Sequence, residues 1–149
     1  MKKWKFSLEA VRLLKNRIEE TAAQKHARAL LKMSRAKADL SETEKELNAA
    51  ALLQFSTGKK STSQELLQLS QYVTVLEKQR RERLEKCLHA EKEATLARAA
   101  LEKAAREREV LDHLHDRQSA AHKFHIRLEE QKWIDELARR GRRGALLAA

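Results

Sequence analysis

Residues 55–62 read Phe55-Ser56-Thr57-Gly58-Lys59-Lys60-Ser61-Thr62, FSTGKKST, the sole strong interruption in a chain of 149 residues without proline. Gly58 suits the left-handed position that closes a helix, and Thr62 with Glu65 forms a T-x-x-E capping box that opens the next. One helix stops here and another starts. The expected layout is a single coiled-coil domain over residues 1–149: helix one over about 6–52, a loop over about 53–63, helix two over about 64–140 and a basic tail over 141–149.

Working outward, Val11, Ile18, Ala22, Ala29, Met33, Ala36, Leu40, Leu47 and Ala50 form one narrow apolar stripe in steps of three and four, with a four-four stutter at 18, 22 and 26. Downstream the heptad is stricter. Positions 66, 69, 73, 76, 80, 83, 87, 90, 94, 97, 101, 104, 108 and 111 are apolar or small apart from Arg80, Arg83 and Arg108. Such a seam must face another helix. A single short loop joins the stripes, so antiparallel pairing is the least demanding arrangement, and the seam alanines permit close approach. The fold expected is therefore all-α, a long antiparallel two-helix coiled-coil hairpin. Pairing outward from the loop puts Met33 near residue 84 and Val11 near residue 106.

Composition agrees. With 4% aromatic and 36% charged residues and only three glycines, the chain lacks the materials of a globular core. Leucine recurs too regularly for disorder. Cys87 is the only cysteine and cannot form an internal disulfide, so a reducing compartment is expected, with Cys87 as a packed seam thiol. Ser7, Glu9 and Arg12 interrupt any apolar stretch after the basic start MKKWKF, which argues against a secretion signal. No purely apolar run is longer than that of residues 49–53, which is too short to insert in a bilayer.

The net charge of +10 is unevenly placed. Residues 1–37 hold eleven Lys or Arg against three Glu, residues 38–138 hold seventeen against nineteen acids, and residues 139–149 add four arginines. An antiparallel hairpin gathers the two basic ends at one pole. Helix two is longer by about 30 residues, so its C-terminal part is expected to project about 45 Å at 1.5 Å per residue. There Leu114, Ala121 and Leu128 continue a seven-residue repeat, flanked by Phe124, Trp133 and Ile134. An apolar stripe without a mate suggests an interaction surface, although a fold-back or self-association would also cover it.

The segments KFSLEAVRLLK (Lys5–Lys15), SQYVTVLEK (Ser70–Lys78), DRQSAA (Asp116–Ala121) and EEQKWIDELARR (Glu129–Arg140), in this order and spacing, resemble the FliJ family of flagellar type III export proteins. The stalk proteins of virulence-type secretion systems share the architecture. The resemblance implies a cytoplasmic, non-catalytic stalk or adaptor, peripheral at the inner membrane through the export apparatus and serving flagellum biogenesis. It implies three partners: the hexameric export ATPase, the export gate protein FlhA and export chaperones. The family's gate-contacting face falls on Tyr72, Leu76, Gln79 and Arg83; Tyr72 and Leu76 are carried over, because Gln79 and Arg83 depart from the smaller or aromatic residues usual there. Its first-helix half falls near Asp39, Thr43, Glu46 and Ala50, without the usual aromatic residues. The end expected to enter the ATPase ring carries Phe124, Leu128, Trp133, Ile134, Arg139 and Arg140.

Other readings compete. His122, His125 and Glu129 lie at i, i+3 and i+7, a spacing that could seat a metal, and His113 and His115 stand nearby. Polar filling of a weak seam is the plainer account, and neither metal nor cofactor is expected. No phosphate loop, nucleophile elbow or paired-carboxylate site is apparent, so no enzyme is expected. The basic ends would attract nucleic acid through counterion release, but base-stacking aromatics are scarce and no specific nucleic-acid partner is expected.

Overall fold

The computed structural model describes residues 4–57 and 62–148. Two helices account for nearly all of them: α1, Glu9–Thr57, and α2, Ser63–Leu147. The capping box is present at the start of α2, where the Thr62 amide donates to a Glu65 carboxylate oxygen at 3.3 Å. Gly58, the expected closing residue of α1, lies outside the described residues. Both helices run past their expected ends. α1 continues to Thr57 and α2 through Arg142 and Arg143 to Leu147, so the stretch expected as a tail is helical as far as Leu147. Gly141 and Gly144 lower helix propensity without forbidding helix, and good helix formers surround them.

The chain divides into two units, residues 19–103 and residues 1–18 with 104–149. In the first, α1 and α2 pack antiparallel: Lys32 Nζ meets Glu93 at 2.8 Å, Lys37 meets Glu91 at 3.1 Å, and Arg80 meets Glu44 at 3.5 Å. Going up α1 is going down α2. Ala22, His26, Ala29, Met33, Ala36, Leu40, Thr43, Leu47 and Ala50 are covered on α1, with Glu19 and Glu44 half-buried beside them. On α2 every expected seam position from Leu66 to Leu101 is buried or half-buried except Arg80. Ala50, Leu76, Cys87, Ala90 and Ala94 form the innermost layer. It is thin because two helices can cover only one stripe on each other.

The register differs from expectation by about one heptad. Met33 shares a groove with Glu91 and Ala94, not with residue 84. In the second unit Arg12 Nε donates to Asp112 at 2.7 Å and Lys15 Nζ to Glu107 at 2.7 Å, so Val11 lies far from residue 106. A seven-residue slip leaves an apolar seam unchanged, so periodicity cannot detect it. The flanking charges decide. In the expected register Lys37 would face Arg80 and Arg12 would face Ala105; in the observed one they find Glu91 and Asp112.

In that second unit the chain leaves helical geometry before Glu9. The Glu9 amide bonds back to the Phe6 carbonyl at 3.3 Å, and Trp4 and Phe6 turn onto α2. Phe6 is buried, with its ring edge-on to His115 at 5.2 Å. Trp4 meets His115 at 5.2 Å and stacks on His122 at 6.2 Å. Cover on α2 therefore extends beyond residue 106, through His115, Ser119, His122 and Ile126. The expected continuation through Leu114, Ala121 and Leu128 is not the line taken; Ala121 and Leu128 are exposed. The spacing 111, 115, 119, 122, 126 carries a four-four stutter that a strict seven-residue count overlooks.

Candidate partner-binding surfaces

Two surfaces carry the residues singled out in the sequence. The first, on the 19–103 unit, holds Tyr72, Leu76, Gln79 and Arg83 on α2 and Asp39, Thr43, Glu46 and Ala50 on α1. Spacing of 4, 3 and 4 residues would align the α2 set along one flank, but the structure divides it. Tyr72 is 49% exposed, whereas Leu76 is 2% exposed and belongs to the seam. As placed, Leu76 offers no side-chain surface to a partner. Ala50 is buried as well, and Thr43 is fully enclosed.

Arg83 explains why Thr43 can be enclosed. Its guanidinium donates to the Asp39 carbonyl at 2.8 Å and to the Thr43 hydroxyl, while that hydroxyl donates to the Asp39 carbonyl at 3.0 Å. The seam arginine thus ties α2 to α1 through one carbonyl and one hydroxyl, both otherwise costly to desolvate. Arg83 thus bonds within the chain to two positions expected on the same face. Arg80, by contrast, stays exposed beside Glu44.

The second surface is the C-terminal part of α2 in the other unit. Every described side chain from Arg127 to Ala148 is exposed. Phe124, Trp133 and Ile134 are each more than 60% exposed, and Leu128 and Leu137 are partly so. Arg139 and Arg140 are exposed with them. At about 100° per residue, Trp133 and Leu137 fall on the side of the helix that carries His122 and Ile126, Phe124 and Leu128 fall on roughly the opposite side, and Ile134 falls about midway between them. The expected set is therefore two apolar strips, not one. Leu137 and Ile126 were missing from it; the 4, 3, 4 spacing from Ile126 through Glu130 and Trp133 is the signal that reveals them.

Electrostatics sharpen the contacts nearer the N-terminus. The hydrogen bond from Arg12, helped by one from Arg108, holds the Asp112 carboxyl below its ordinary range, and the same bond raises the Arg12 guanidinium. Glu93 is lowered likewise, chiefly by its hydrogen bond from Lys32. Of the four histidines near this end, His115 and His122 are spent on the aromatic cluster and His125 faces Glu129 at 3.6 Å. Among the described residues no group of three His, Cys, Asp or Glu is arranged to hold a metal ion.

No described helix is long and apolar enough to cross a membrane. No curated protein and no solved structure is significantly similar to the chain. The family model described as flagellar FliJ protein matches residues 4–145, nearly the whole length, and with two long packed helices beneath that match the chain belongs to the FliJ family of flagellar export proteins.

Proposed function

We propose that the protein is the stalk or adaptor of flagellar protein export: the C-terminal part of α2 projects into the lumen of the hexameric export ATPase, and the Tyr72 flank meets the export gate protein FlhA. Export chaperones are escorted by the same hairpin, and the chain works in the cytoplasm at the export apparatus. The observation that carries the reading is the pair of apolar strips on opposite sides of one exposed helix. A partner docked along one side would leave either Phe124 and Leu128 or Trp133 and Leu137 in water. A ring that surrounds the helix covers both. Arg139 and Arg140 add the charge that steers a basic helix into an acidic collar.

The test is binding of purified export ATPase hexamer to two double variants, Phe124→Ala with Leu128→Ala and Trp133→Ala with Leu137→Ala. A collar predicts at least a tenfold loss from each, on the scale of about 1.4 kcal/mol per tenfold. Loss from one pair alone means docking in a one-sided groove. No loss from either removes the C-terminal part of α2 from ATPase binding. At the other surface, Tyr72→Ala should weaken FlhA binding, while Leu76→Ala acts through the hairpin's stability.

A further inference from the structure

On the 19–103 unit, α1 and α2 bound an open groove of about 620 Å³ that neither proposed contact uses as such. Its α1 wall carries Arg28, Lys32 and Arg35 and its α2 wall Arg83 and Lys86, while Leu31, Ala36 and Ala90 supply apolar surface between them. We infer that this groove is a docking site for an acidic amphipathic helix of a partner protein.

Charge complementarity is the first reason. Lys32 is engaged by Glu93 and Arg83 by the Asp39 carbonyl, but Arg28, Arg35 and Lys86 have no acidic partner among the described residues. They are exposed and line both walls. Unpaired cations on two sides of one trough repel each other, and an acidic rim laid between them relieves that repulsion. Shape is the second reason. From Arg28 to Asp39 the wall rises about 16 Å, three turns of helix, which suits a helix lying along the trough. Leu31, more than half exposed, then has an apolar stripe to meet.

A nucleic acid fits these residues less well. No Phe, Tyr or Trp lines the groove for a base to stack on, the His89 imidazole there sits 3.2 Å from Glu93, and Asp39 adds an acidic residue to the lining. A phosphate backbone would satisfy the cations but leave Leu31 uncovered, whereas an amphipathic acidic helix meets both demands.

The experiment uses the full chain and a fluorescein-labelled peptide of three heptads, with leucine along one stripe and glutamate elsewhere, read by fluorescence anisotropy at about 150 mM salt. Arg28→Glu, Arg35→Glu and Lys86→Glu together should weaken binding at least tenfold. The triple reversal Lys92→Glu, Lys103→Glu and Arg106→Glu, which changes net charge equally elsewhere on the exposed surface, should change it by no more than roughly threefold. A scrambled peptide of the same composition should bind at least tenfold more weakly. Helical circular dichroism of each variant confirms that the hairpin is intact. The proposal is overturned by equal loss from the two triple reversals, by equal binding of the scrambled peptide, by a DNA duplex that outcompetes the peptide at the groove, or by self-association of the chain that the groove reversals abolish.

Discussion

Replacing Leu76 by alanine separates packing from partner contact. Leu76 is almost completely enclosed in the seam, the only leucine in that innermost layer. The substitution removes three carbons from an apolar site at about 0.8 kcal/mol each, or about 2.4 kcal/mol. The further cost of a rigid cavity is small here, because a seam two helices wide borders solvent and can close up. With a urea dependence of about 1–3 kcal/mol per molar, the unfolding midpoint should fall by about 1 M. Tyr72→Ala, four residues away and half-exposed, should shift stability by no more than about 0.5 kcal/mol. Leu76→Met, which conserves volume, should cost less than about 1.5 kcal/mol. Urea titrations followed by circular dichroism measure all three. If Leu76→Ala and Tyr72→Ala move the midpoint equally, or if Leu76→Ala leaves it in place, Leu76 does not pack as described and regains its claim as a contact residue.

Four further outcomes follow from the same contacts. Arg83→Ala should destabilise the hairpin by about 1.5–3 kcal/mol in the same titration, since it removes the charged donor from the enclosed Thr43 hydroxyl and leaves the Asp39 carbonyl with the Thr43 hydroxyl as its remaining side-chain donor. Acid should weaken the ion-paired contacts. Asp112 and Glu93 are held below their ordinary values of 3.8 and 4.5, so their contribution is complete above those values and is lost as pH falls through the lower folded-state values; Asp112→Asn should flatten that part of the profile. Trp4→Ala should cost about 1–2 kcal/mol and raise hydrogen exchange around His115 to His122, because the aromatic contacts hold the N-terminal segment on α2. Gly141→Ala with Gly144→Ala should strengthen the last turns of α2 by roughly 1 kcal/mol per site, seen as added helical ellipticity, because an added methyl meets nothing within 4 Å at either position.

Exposure was legible in the sequence where it follows helix periodicity and illegible where it depends on the opposite helix. Trp133 and Ile134 stand out as apolar groups in a charged stretch, and they are exposed. Leu76 has the same character in the sequence as a contact residue would, but α1 covers it. Arg83 interrupts an apolar seam and has no assignable role until Asp39 and Thr43 are seen across from it. The aromatic cluster of Trp4, Phe6, His115 and His122 joins residues more than a hundred positions apart, and no local spacing announces it.

The amino-acid order alone determined that there are two helices, where the chain breaks between them, and which stripe of α2 is covered up to Leu111. Those properties follow from capping chemistry and from the 3.6-residue turn, both local. Tertiary structure decided how far one stripe is slid along the other and how the N-terminal segment folds back. A heptad seam is degenerate to steps of seven residues, so only the meeting of particular charges, Arg12 with Asp112 and Lys37 with Glu91, and of particular rings selects one register from the set.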